Sequence, residues 1–135
     1  MANAARTRLA AMNVPADLRY SSDHEWVRGV GDGLVRIGIT DYAQDALGDV
    51  VYVELPAVGS SVEAGAVFGE VESTKSVSEL FAPVAGEVVA VNDELEGAPG
   101  RVNEDPYGEG WICEVQVAAE DDLMDADAYA QFIEG

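Results

Sequence analysis

The chain has 135 residues, 48% of them hydrophobic, and carries 26 acidic side chains against 7 basic ones for a net charge of −19. The apolar content excludes a disordered acidic tail, and the charge excludes nucleic acid and anionic membrane surfaces as ligands. No run approaches the roughly 20 apolar residues of a membrane helix, and partners are expected to offer basic or neutral faces whose attraction weakens with salt.

Residues 1–14 read as a flexible extension, too short for an organelle leader, and residues 15–135 as one domain. His24-Glu-Trp-Val-Arg28 reads as a strand, Gly29-Val-Gly-Asp-Gly33 as a turn and Leu34–Ile39 as the returning strand. The glycines between them are not a dinucleotide fingerprint, because a strand follows where that motif needs a helix. Thr40 or Asp41 caps a short helix, Tyr42–Leu47, which Gly48 ends. Val50–Leu55 is a strand stopped by Pro56. Two strand-like runs, Ala66–Glu72 and Val77–Phe81, flank a tight connection at Ser73-Thr-Lys-Ser76, and Pro83 breaks the second run.

Ala85–Val91 is another strand. Gly97–Gly110 has no periodicity and reads as a long loop. Trp111–Val117 closes the sheet, with Trp111, Cys113, Val115 and Val117 on one face. Cys113 is the only cysteine, so no internal disulfide or Cys-rich zinc site exists, and a buried strand position is expected for it. Asp121 or Asp122 opens a C-terminal helix over Leu123–Ile133, with Leu123, Ala126, Ala130 and Ile133 as its apolar stripe. Its acids read as a solvated face. Asp121, Asp122, Asp125 and Asp127 lack the glycine and terminal Glu of a calcium loop, and no metal is expected. Many short strands between turn signals indicate an all-β barrel or sandwich with two small helices.

Lys75 is the only lysine, arginine supplying the other six basic side chains. It sits at the apex of the predicted hairpin between small residues Ser73, Thr74 and Ser76, with Glu70, Glu72 and Glu79 nearby. An exposed amine on a tight turn is what a modifying enzyme needs. An amine attacks only when neutral, and acidic neighbours favour the charged form, so activation falls to that enzyme. From spacing alone, an ordinary solvated turn lysine remains the plainer alternative. An independent hydrolase fails for want of a nucleophile–base pair: the single Cys and single His lie in separate signals.

Residue identities go further. Gly69-Glu-Val-Glu-Ser-Thr-Lys-Ser-Val-Ser-Glu79 closely resembles the lipoylation hairpin of glycine cleavage H proteins. His24-Glu-Trp-Val27, Gly38-Ile-Thr-Asp-Tyr-Ala-Gln44, Gly48-Asp-Val-Val-Tyr-Val-Glu-Leu-Pro56, Pro83-Val-Ala-Gly-Glu-Val88 and Val102-Asn-Glu-Asp-Pro-Tyr-Gly-Glu-Gly-Trp111 resemble other segments of that family, in order, over roughly residues 15–134. Each block is modestly specific; together they are highly specific.

The resemblance implies a mainly β fold, the lipoyl-domain barrel-sandwich hybrid of two small antiparallel sheets with short helices. It implies lipoic acid in amide linkage on Lys75, with Glu72, Ser73, Thr74 and Ser76 read by the lipoate-protein ligase or the lipoyl synthase pathway. The implied role is non-catalytic. A pyridoxal-phosphate glycine decarboxylase loads an aminomethyl group on the arm, a tetrahydrofolate-dependent aminomethyltransferase removes it, and dihydrolipoyl dehydrogenase reoxidises the dithiol. The family shelters the loaded arm in a cleft using the Glu of His-Glu-Trp, here Glu25. Asp23 and Glu79 replace the family's small hydroxyl residue and Asp at two further cleft positions. His24 reads as structural or solvated. A monomer in bacterial cytosol is expected, a mitochondrial matrix less so. Alternatives are a relay of lipoyl or octanoyl groups, a 2-oxoacid dehydrogenase lipoyl domain, and a biotinyl domain; the last conflicts with Thr74 and Ser76, where methionines would flank the lysine.

Overall fold

A computed structural model describes residues 12–120 and 122–134. The strands are β1 (Arg19–Tyr20), β2 (Glu25–Gly31), β3 (Leu34–Ile39), β4 (Val50–Glu54), β5 (Ser61–Val62), β6 (Val67–Ser73), β7 (Val77–Phe81), β8 (Val84–Val91) and β9 (Cys113–Glu120). The helices are α1 (Asp41–Leu47), α2 (Glu94–Gly97), α3 (Arg101–Glu104) and α4 (Ala126–Glu134). One sheet has the order β1-β2-β3-β9-β8-β5 and the other β4-β6-β7, all pairs antiparallel. The mainly β, two-sheet expectation therefore holds.

Alternation along the strands explains the packing. Val35 and Ile37 of β3, Val53 of β4, Val71 of β6, Val84 and Val88 of β8 and Cys113 and Val115 of β9 are buried in one apolar cluster. Cys113 is fully buried, and burial pushes its thiol up to about 12, so it is an inert core residue. A second cluster of Leu18, Tyr20, Trp26, Tyr107, Tyr129 and Ile133 lies where β1 and α4 dock. Trp26 is cross-strand from Gly38, and a Cβ there would come within 2.6 Å of the indole. Two of the sequence blocks thus meet: glycine in one leaves room for tryptophan in the other.

Several boundaries differ from the sequence reading. Gly97–Gly110 is not a featureless loop; α2 and α3 use it and the residues just before it, burying Leu95 and Val102. Single helical turns are too short to show periodicity. The last strand starts at Cys113 rather than Trp111; Ile112, just before it, is buried and donates its N–H to the Ile37 carbonyl of β3. Helix α4 begins at Ala126 rather than Leu123. Its cap is Asp125, whose Oδ1 accepts from the Ala128 N–H at 2.8 Å. The segment before it instead pairs with β1 through two bonds between Tyr20 and Met124. The buried stripe is accordingly Tyr129 and Ile133, with Ala126 and Ala130 half-buried and Leu123 outside the helix. Asp121 lies outside the described residues, and Asp122 is exposed ahead of the helix. Of residues 1–14, only 12–14 are described; the Asn13 N–H donates to Asp41 at 3.0 Å and its carbonyl accepts from the Tyr107 hydroxyl.

Gly86, where β8 shifts register against β9, has no room for a side chain: a Cβ would sit 2.1 Å from the Gln116 carbonyl oxygen. Gly86→Ala is expected to destabilise the fold by about 3 kcal/mol, since backbone, unlike a flexible side chain, cannot step aside. A lowered urea midpoint at unchanged slope would show it.

Candidate functional site

The β6–β7 turn is organised by one hydroxyl. Ser73 is buried at the end of β6, and its Oγ accepts from the N–H groups of Lys75 at 3.2 Å and Ser76 at 3.1 Å. The Ser73 N–H donates to the Ser76 carbonyl at 2.8 Å, closing the turn. This is the side-chain-to-backbone turn that serine favours. The neighbouring Thr74 N–H donates to the Asp49 carbonyl at 3.0 Å, tying the tip to the segment after α1. That segment is held in turn by Asn103 of α3. Its Oδ1 accepts from the Val50 N–H, and its Nδ2 donates to the Gly48 carbonyl and to Gln44 Oε1.

Lys75 stands exposed on this braced tip. Its stem passes over Gly48, where an added Cβ would come within 3.5 Å of Lys75 Cε. The ammonium takes part in none of the ion pairs found among the described residues. Thr74, Ser76 and Glu72 are exposed beside it, while Ser73 faces inward. Ser73→Ala is therefore expected to leave two N–H groups at the tip without their acceptor and to lower stability by about 1–2 kcal/mol. Hydrogen exchange at Lys75 and Ser76 should rise more than elsewhere in the sheet.

Beside the free edge of β7 lies a cleft of about 330 Å³. Ile39, Ala43, Ala46, Leu47 and Leu80 make it apolar, with His24, Tyr42 and Ser78 in its wall and the carboxylates Asp23 and Glu79 also lining it. Glu79, within β7, is four residues along the chain from Lys75, at most roughly 13 Å even for a fully extended segment. A long apolar arm on Lys75 fits this geometry: the floor accepts methylenes and the two acids favour a cationic end.

Glu25 has a different place. It is 1% exposed and is not part of the cleft lining. Its Oε1 accepts from the Ser21 hydroxyl at 2.9 Å and its Oε2 from the Phe81 N–H at 3.0 Å. Burial pushes its carboxyl up to about 8, against the opposing pull of those two bonds. The structure thus brings Asp23 and Glu79 together on the cleft and sets Glu25 beneath, locking the end of β7 to β2. His24, with φ of 68°, is half-buried among aromatic rings, and its Nδ1 lies 2.8 Å from the Tyr129 hydroxyl. Burial lowers its pKa, with Asp23 opposing, which favours the neutral ring.

Residues missed from sequence are Asn103, Tyr129 and the apolar cleft wall from α1. Asn103 and the Tyr42 and Ala43 part of that wall lay in blocks singled out beforehand, but nothing local marked the three bonds of Asn103 or the face that α1 turns to the cleft.

Comparison with known proteins points to one family. A family model described as glycine cleavage H-protein matches residues 18–135. A glycine cleavage system H protein of Mycolicibacterium vanbaalenii is 62% identical over 122 residues, covering 86% of this chain and 93% of the relative. One from Mycobacterium bovis is 56% identical over 126 residues, covering 87% and 94%. A crystal structure of a glycine cleavage system H protein from Mycobacterium marinum superposes with a TM-score of 0.86 at 46% identity, covering 90% of this chain and all of that one.

Proposed function

The chain belongs to the glycine cleavage H-protein family, and on that premise we propose that Lys75 is its lipoyl attachment point and that the cleft beside β7 receives the end of the arm. Proteins of this family are non-catalytic lipoyl carriers of the glycine cleavage system, and that is the role of this chain. When bound, the lipoyl group supplies a dithiolane that accepts and returns a one-carbon unit and a pair of electrons.

The remaining work is done by the chain's own residues. Ser73 fixes the backbone at Lys75, so the amine is offered to a modifying ligase in one geometry, with Glu72, Thr74 and Ser76 exposed for it to read. Asp23 and Glu79 give the cleft a negative rim that favours a protonated amine, and the apolar floor keeps water away from it. The carrier then presents Lys75 in turn to a pyridoxal-phosphate glycine decarboxylase, a tetrahydrofolate-dependent aminomethyltransferase and dihydrolipoyl dehydrogenase. A net charge of −19 speeds encounters with basic docking faces on these enzymes. The relatives named above are bacterial, and no helix among the described residues is long and apolar enough to cross a membrane; the setting proposed is the bacterial cytoplasm.

The observation that carries this reading is a sole lysine, exposed on a serine-braced hairpin one strand away from an acid-rimmed apolar cleft. Treating the purified chain with lipoate ligase, ATP and lipoic acid should add one lipoyl mass, mapped by peptide analysis to Lys75. A bare amine after the same ligase has fully modified a control carrier would overturn it.

A further inference from the structure

The hydroxyl of Tyr129 stands where three elements meet. Tyr129 is on α4, far in sequence from everything that lines the cleft, and is fully buried. Its ring stacks on Tyr20 of β1, centroids 4.6 Å apart and planes 11° from parallel. The stack orients the phenol, and its oxygen reaches two groups. One is Nδ1 of His24 at 2.8 Å; the other is Oγ1 of Thr40, also at 2.8 Å.

Both groups govern the cleft. His24 forms part of its wall and holds a left-handed backbone, φ of 68°, which a non-glycine residue adopts only when its surroundings compensate. Thr40 is the N-cap of α1, its Oγ1 accepting from the Ala43 N–H at 3.2 Å. Helix α1 supplies Tyr42, Ala43, Ala46 and Leu47 to the opposite wall. The backbones of these two anchors already meet, the Thr40 N–H donating to the His24 carbonyl at 3.0 Å; the Tyr129 hydroxyl adds the link between their side chains, bridging the His24 ring and the Thr40 hydroxyl.

We propose that Tyr129 is a positioning residue for the cleft: its hydroxyl, carried by the C-terminal helix, fixes the His24 ring against the capped end of α1 in the orientation that lets the cleft enclose the end of the Lys75 arm. This rests on the cleft reading given above. The oxygen has the right valence for the task, able to donate to one neighbour while accepting from the other. Tyr129 is not itself among the residues that line the cleft.

The test is Tyr129→Phe in the full lipoylated chain, with Tyr20→Phe as its control. Each variant keeps its ring and so the stack. Each loses buried hydrogen bonding, but the Tyr20 hydroxyl serves the Pro15 carbonyl, away from the cleft. His24 is the only histidine, so its imidazole signals are unambiguous by NMR. They should shift in Tyr129→Phe and stay in place in Tyr20→Phe. Once the carrier is charged by the decarboxylase, formaldehyde release in the absence of transferase should rise severalfold in Tyr129→Phe only. Equal behaviour of the two variants, with the native charged carrier still more resistant than a denatured one, overturns the role of Tyr129 alone. A native carrier no more resistant than the denatured one overturns the cleft reading and this inference with it.

Discussion

Lys75→Arg is expected to emerge from a lipoate-competent host with no lipoyl mass increment and with native stability. The guanidinium stays protonated at every accessible pH and cannot form the amide. The fold has no stake in the ammonium: Lys75 is exposed, and the bond it gives the turn comes from its backbone N–H, which arginine keeps. Because no other lysine exists, no neighbouring amine can substitute, and the loss should be complete rather than partial. Intact-protein mass and thermal unfolding measured on one sample decide the matter. A residual increment would place the arm elsewhere, and a large drop in Tm would mean that the side chain is part of the packing.

The second large effect concerns Glu25 and separates a structural from a cleft role. Glu25→Ala removes the acceptor of the Phe81 N–H, leaves the Ser21 hydroxyl without that partner and opens a cavity beneath β7. A loss of about 3–4 kcal/mol is expected from the unpaired donor and the void together. Glu25→Gln keeps an acceptor for the Phe81 N–H, and its amide N–H can donate to the Ser21 oxygen in place of the bond that Glu25 accepts from the Ser21 hydroxyl, so it should stay near native stability at neutral pH.

The pH dependence gives the sharper test. The folded carboxyl titrates at about 8 and the unfolded one at 4.5, so between those values the folded state holds a proton that the unfolded state has lost. The stabilisation from Glu25 is therefore complete below pH 4.5 and is lost as pH rises to 8, at no more than about 1.4 kcal/mol per pH unit. His24, whose pKa is lowered by burial, acts with the opposite sign near and below its ordinary value, and it is common to both chains. Subtracting the native curve from that of Glu25→Gln isolates the glutamate: the variant should gain steadily on the native chain from pH 5 to 8. A flat difference would mean that Glu25 is charged in the folded state.

The placement of Glu25 shows how residue identity and position part company. The His24-Glu25-Trp26 block was legible as a strand entry, and Trp26 is cross-strand from Gly38 of a second block. Which way the Glu25 side chain points was not legible, because that depends on Phe81, far along the chain, presenting an unpaired N–H to it. The same holds for His24. Its neighbours in sequence give it only Asp23, whereas its hydrogen-bond partner lies 105 residues away.

What the chain discloses by itself is whatever depends on near neighbours. Strand-like runs between turn signals mark the two arms around Lys75, small polar residues mark the turn, Thr40 and Gly48 bracket α1, and the uniqueness of Lys75 and Cys113 is a matter of counting. Only the tertiary structure decides that Ser73 turns inward to brace the tip, that Asn103 holds the segment against which the tip rests, and that β7, α1 and the residue before β2 close on one another as a cleft. Those outcomes arise from hydrogen bonds and packing between segments remote in sequence, whose meeting is set by sheet pairing. Local preference, the one signal a linear reading possesses, carries no record of it.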